Sequence, residues 1–194
     1  MNTKTLALII IFVAITVALN IVGPKIPAPY APFLYYQLWE IPIVIAFLAI
    51  GPKVGVAVTA MNTLILFAVF NPGANAGPLY NFIAVLAMLL GIYLPYRIAV
   101  RGCKTEKLGS YLKQHVKILS ITATVVGITT RVLITTVVNY FALQQPYPIG
   151  FSYTPQGALL FLPLSALFNA TVAVYTIPIG IALSIVVLSR FNLS

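Results

Sequence analysis

"RVLITTVVNYFALQQPY", residues 131–147, decides how the chain is read. The segment is apolar enough to enter lipid, yet it opens on a guanidinium and carries an amide eight positions later. Arg131, Thr135 and Asn139 stand at i, i+4 and i+8, so they share one face of a helix. A charge or an unpaired amide in hydrocarbon costs several kcal/mol by rough estimate, so that face must look into a protein interior while the others meet lipid. The stretch therefore predicts a membrane helix with a polar inward stripe.

The rest of the chain supports a membrane setting. Of its 194 residues 61% are hydrophobic and 7% charged, and the mean hydropathy of +1.04 lies outside the soluble globular range. Apolar stretches run over 4–22, 37–50, 53–70, 79–100, 115–143 and 158–189. They predict an all-α integral membrane protein, a six-transmembrane-helix bundle forming a single membrane domain over 1–194. The second stretch, "LWEIPIVIAFLAIG", is short against the roughly 20 residues a span needs. Tilt, extension through Tyr35 and Tyr36, or packing inside the bundle would accommodate it.

Basic residues set the expected orientation, because Lys and Arg gather in cytoplasmic loops. With the N-terminus inside, that side holds Lys4, Lys53, Arg97, Arg101, Lys104, Lys107, Lys113, Lys117 and Arg190, and the outer side holds Lys25. Both termini are expected in the cytoplasm of a multi-pass cell-membrane protein. The net charge of +9 does not indicate nucleic acid, since its one cluster, Arg97 to Lys117, falls between two spans and suits topology and anionic membrane lipid. The first segment is read as a retained helix rather than a signal peptide, because its apolar run exceeds a usual signal core. Cys103 stands alone, without a disulfide mate or a metal-ligand spacing. There is no aspartate, one histidine (His115), no phosphate-binding loop and no GxSxG. Neither an enzyme nor a resident cofactor is expected, and ion-coupled transport lacks its usual intramembrane carboxylates. A binding protein fits better.

The connections near 23–36, 71–78 and 144–157 carry nine of the fourteen prolines. "GPKIPAPYAP" should be a stiff, extended strap that loses little entropy on closing over a ligand. The same loops hold Tyr30, Phe33, Tyr35, Tyr36, Tyr147, Phe151 and Tyr153, which suit either an interfacial belt or a lid of flat side chains over a planar ligand. In the last segment Ser165, Asn169 and Thr176 share one face, and Asn81 opens the fourth. Interhelical hydrogen bonding explains Thr135, Ser165 and Thr176. Asn139 and Asn169, near the outer ends of their helices, suit a heterocycle with donors and acceptors together. Glu40, before Pro42, is either a helix-start carboxylate facing the dipole, a counter-ion for Lys25 or Arg131, or an acceptor for a ligand N–H. Arg131 lies about 12 Å below Asn139 at 1.5 Å per residue. Glu40 is expected to be shallower than that, which leaves backbone carbonyls or a snorkelling path as other partners.

Several signatures in order resemble one family. "WEIPIVIAFLAIGPKVGVAV", "AGPLYNFIA", "TTVVNYFALQQPY" and "LFNATVAV" are similar to motifs of the substrate-binding S components of energy-coupling factor (ECF) vitamin transporters, especially the riboflavin-specific group. The resemblance covers about residues 4–190. It implies a subunit that binds a vitamin from outside with high affinity, encloses it beneath the outer loops, then joins a transmembrane coupling subunit and two ATP-binding subunits and topples to release its cargo. Asn139 and Asn169 match ligand-binding asparagines of that group, Glu40 its acidic position and Asn81 its Asn-Phe motif. Arg131, Tyr36 and Tyr147 complete the expected binding set. Ala14 and Ala18, following Ala7 on one face of the first helix, match the Ala-x-x-x-Ala surface with which the family docks its partner; contact within the chain is the other explanation of those small residues.

The chain departs from the riboflavin group at two lysines, which are Val172 and Asn62 here. Either the ligand differs, or Arg131 supplies the charge from a neighbouring helix. The expected cargo is riboflavin or a related flavin, with another vitamin or heterocycle as the alternative. A non-catalytic membrane scaffold, whose outer loops would cover nothing, and a small membrane enzyme are the competing readings from other classes.

Overall fold

The computed structural model describes residues 3–69, 76–101 and 108–191. Six helices follow one another: α1 (Thr3–Ile21), α2 (Glu40–Ala49), α3 (Pro52–Val69), α4 (Gly77–Ala99), α5 (Leu108–Ala142) and α6 (Pro155–Phe191). Five of them, all but α2, are long and apolar enough to cross a membrane. Their limits agree with the apolar stretches to within a few residues, apart from the start of α5, seven residues before its stretch. Lys104, Lys107 and Cys103 of the basic connection, and Pro72 of the α3–α4 connection, lie outside the described residues.

Two features differ from a plain six-helix reading. The proline strap before α2 is extended but not solitary: β1 (Ile26–Ala28) pairs antiparallel with β2 (Ala31–Tyr36), with a register shift after Pro27. Polyproline and β conformations are neighbours in backbone space, and a two-stranded ribbon tolerates prolines because each strand has an unpaired edge. The hairpin is a small addition to a bundle that is otherwise all-helical, as expected. The second feature is α2 itself. Its ten residues rise about 15 Å, half of a bilayer core near 30 Å, and every one except Ile45 is buried. It is a half-length helix enclosed by the bundle, and the hairpin precedes it.

Close crossings hold the bundle together. A side chain on Gly91 of α4 would stand 2.7 Å from the Cα of Gly127 on α5, and one on Gly180 of α6 would meet Val44 of α2 at 2.5 Å. Without lipid-repelling forces between helices, such small-residue contacts let backbones approach and gain dispersion energy. α5 packs most extensively against α6 and α4, and α2 lies against α6 and α3. Ile43, Val44, Val85, Met88, Ile92 and Ile177 fill the centre. Gly51, at φ +146°, makes the reversal between α2 and α3 in a conformation open to glycine.

The three proline-rich connections meet at one end. The backbone N–H of Ala76 donates to the carbonyl of Pro148 at 2.9 Å, and the Tyr80 hydroxyl donates to the carbonyl of Ile149. Phe33 of the hairpin stacks on Phe161 at the start of α6, 5.9 Å between centroids.

Candidate ligand-binding site

Beneath these connections lies a cavity of about 590 Å³. Strand β2, the start of α2, the first turns of α4, the second half of α5 and the first half of α6 surround it. Aromatic rings from β2, the α5–α6 connection and α6 supply much of its wall: Phe33, Tyr35, Phe151, Tyr153, Phe161 and Phe168.

The floor is an ion pair. Arg131 and Glu40 are 2% and 4% exposed. The guanidinium grips the carboxylate with both terminal nitrogens: Nη2 donates to Oε1 at 2.9 Å, and Nη1 donates to Oε2. Nη1 also reaches the Met88 sulfur at 3.5 Å. Parallel two-point pairing of this kind is the strongest geometry open to arginine. Of the roles open to Glu40 in the sequence, the structure realises the counter-ion of Arg131, and against expectation the acid is not shallower than its partner. Because α2 starts only at residue 40, after the hairpin, its first carboxylate stands at the cavity floor beside Arg131. It occupies the first turn of α2 as well, so helix dipole and guanidinium both stabilise its charge.

A second chain of bonds leads outward from the floor. Arg131 Nε donates to Asn169 Oδ1 at 2.9 Å, and Asn169 Nδ2 donates to the Ser165 carbonyl at 2.9 Å. A donor-only guanidinium at one end and an acceptor-only carbonyl at the other leave a single orientation for this amide. Asn139 Nδ2 then donates to the Ser165 hydroxyl at 2.6 Å. Asn139 and Asn169 therefore share one polar centre from two helices. Thr135 is buried between them and Arg131, its hydroxyl turned back to the Arg131 carbonyl at 2.8 Å.

Five residues singled out from sequence, Glu40, Asn81, Arg131, Asn139 and Asn169, line this one cavity. Asn81 is exposed at its α4 side. Tyr36 and Tyr147 are not among the lining. Tyr36 stands behind the wall, its ring stacked on Phe168 at 5.3 Å and its hydroxyl 2.6 Å from that of Tyr30. Loss of water and the bond to Tyr36 push the Tyr30 phenol up to about 12. Tyr147 is on the exposed surface of the α5–α6 connection. Of the two departures from the riboflavin group, Val172 is buried in the cavity wall. Asn62 is buried on α3 with an unpartnered Oδ1, away from the lining. Thr176, expected to bond across helices, is buried and makes no hydrogen bond to another helix among the described residues. Ala7, Ala14 and Ala18 are exposed along α1, free of contact burial within the chain.

Sequence reasoning missed most of α6's contribution. Phe161, Phe168 and Tyr175 recur every seven residues on the face that carries Ser165, Asn169 and Val172, and all six line the cavity. That period was visible, but aromatic residues abound in any membrane helix. Tyr175 also ties the hairpin's end to α6, donating to the Gln37 carbonyl at 2.7 Å. The assembly offers flat apolar faces and a polar floor, with no nucleophile and base placed together among the described residues. It can hold a molecule.

No protein-family model matches the chain. A solved structure described as the S component of a bacterial ECF transporter superposes over 99% of this chain and 97% of its own, at a TM-score of 0.68 and 21% identity. This chain thus has the fold of an ECF-transporter S component, the resemblance read from its motifs, and is a multi-pass protein of the cell membrane. Among named proteins it is similar to the riboflavin transporter RibU of Staphylococcus aureus (strain TCH60), 26% identical over 129 residues. That alignment spans 66% of this chain and 60% of the relative.

Proposed function

We propose that the chain, as a single membrane domain, is the substrate-binding subunit of an ECF-type vitamin uptake transporter, and that its cargo is riboflavin or a related flavin. The observation that carries this reading is the cavity: aromatic walls under a proline-rich cap, with Asn139 and Asn169 converging on one polar centre. Ring faces suit a planar heterocycle, and amides suit its polar edge. The similarity to a riboflavin transporter points the same way. In this proposal both termini are cytoplasmic, the capped end faces outward, and α2 with its hairpin makes the sixth crossing. The exposed Ala14 and Ala18 face of α1 docks the transmembrane coupling subunit, which works with two ATP-binding subunits. The protein acts as a binding subunit and catalyses nothing.

Val172 favours a second reading within the same class. A buried valine where the riboflavin group has lysine removes a cation from the wall, so the cargo would be another vitamin or heterocycle. Purification without added vitamin, followed by fluorescence titration with riboflavin, decides between them. Saturable quenching or a yellow preparation is expected; a colourless protein that leaves flavin fluorescence unchanged rejects riboflavin.

A further inference from the structure

Among the described residues, Glu40 and Arg131 are the charged side chains that line the cavity. We propose that this pair makes the site selective for uncharged cargo, cancelling a cation that would otherwise draw anions into the floor. The proposal rests on the cavity being the ligand site and adds the charge class of the ligand.

A guanidinium is charged at any physiological pH and presents a planar fork that matches carboxylate and phosphate. Left bare at the bottom of an aromatic chamber, it would select an anion. Here the fork is already occupied. Glu40 takes one hydrogen from each terminal nitrogen, Asn169 takes the Nε hydrogen, and the second Nη1 hydrogen points to the Met88 sulfur. One Nη2 hydrogen remains. An entering anion would meet no free fork, and the pull of Arg131 would be offset by repulsion from Glu40 a few ångströms away. Its dehydration would go uncompensated.

The orientation of the amides narrows the ligand further. Asn169 has its oxygen on Arg131 and its nitrogen on the Ser165 carbonyl. Asn139 has its nitrogen on the Ser165 hydroxyl, which leaves Oδ1 as its remaining acceptor. The floor therefore presents the outer lone pairs of Glu40 beside a single guanidinium N–H, and the Asn139 oxygen adds an acceptor further outward. A neutral edge carrying an N–H next to a carbonyl, as in a lactam or imide, complements that pattern. Val172 adds no charge to the wall.

The test uses the full-length protein in detergent, with riboflavin and two anionic analogues as probes. Riboflavin 5′-phosphate is charged at the chain end and 8-carboxyriboflavin at the ring end, so one of them carries its charge inward whichever way the ligand enters. The wild type should bind at least one analogue about 100-fold more weakly than riboflavin, and Glu40→Gln should narrow that same gap tenfold or more, order-of-magnitude values for an uncompensated buried charge. Both analogues binding within about threefold of riboflavin, or an equal gap in Glu40→Gln, would overturn the proposal. A ligand-free arm separates it from the riboflavin reading. Nitrate, planar like a carboxylate, should raise the unfolding temperature of Glu40→Gln relative to gluconate and leave the wild type unmoved. If riboflavin fails to bind but nitrate acts in this way, the choice of vitamin is wrong and the charge compensation stands. If nitrate acts equally on both proteins, or on neither, the compensation is refuted. Should Glu40→Gln not fold in gluconate, its recovery in nitrate reads the same effect. Failure to recover while the Glu40→Gln/Arg131→Gln double variant folds would sink the idea.

Discussion

Removing Arg131 alone should destabilise the protein more than removing Arg131 and Glu40 together. Arg131→Met keeps most of the side-chain volume but leaves the Glu40 carboxylate, 4% exposed, without its cation. Breaking a buried pair from one side costs about 3–5 kcal/mol, chiefly because the remaining charge is stranded away from water. The Asn169 oxygen loses its donor as well, and an unsatisfied buried acceptor costs about 1–3 kcal/mol. The two penalties overlap, since the freed amide can rotate toward the bare carboxylate, so the larger one sets the scale. The Arg131→Met/Glu40→Leu variant strands no charge. Well-packed apolar replacements of such pairs are often neutral or stabilising by about 1–4 kcal/mol. A double-mutant cycle read by unfolding in mixed micelles should therefore give a coupling of about 3 kcal/mol or more. Single variants that each cost under about 1 kcal/mol and simply add would refute the reasoning, because the pair would then be hydrated in the native state.

Three further outcomes are expected. Asn139→Leu removes the α5 amide from the shared polar centre and should weaken ligand binding by about 1–3 kcal/mol, the cost of a buried polar group without a match; an unchanged titration affinity would place the ligand elsewhere. Ala14→Leu adds bulk to an exposed α1 position, so it should spare ligand binding in detergent and abolish uptake in cells, and normal uptake would move the docking face off α1. The Tyr30 phenol, ordinarily near 10 and held at about 12 by lost hydration and the Tyr36 bond, favours the folded state fully below pH 10. That contribution is lost as pH rises through about 12. Phenolate absorbance should show a late tyrosine component that Tyr30→Phe reduces; a late component unchanged in that variant would show the hairpin hydroxyl to be freely hydrated.

What was legible in the sequence follows the size of the physical term involved. Transfer of apolar side chains to lipid is large and repeats over whole segments, so α1 appeared as 4–22 against Thr3–Ile21 and α4 as 79–100 against Gly77–Ala99. The inward face of Arg131, Thr135 and Asn139 was legible for the same reason, since three polar groups at helical spacing have one tolerable place to go. The hairpin was not. Its strands are three and six residues long, prolines interrupt them, and no alternation separates a lone polyproline strap from a paired one. That omission left the depth of Glu40 misjudged and its pairing with Arg131 one reading among several. Depth along the membrane normal depends on what fills the column above a residue, and a helix assumed to start at the surface puts its first carboxylate there. With a hairpin preceding α2, the same carboxylate descends to the level of Arg131, 91 positions further along the chain. The guanidinium that needs an acceptor and the acid before Pro42 are two halves of one buried pair, which makes the counter-ion reading of Glu40 the one the fold selects.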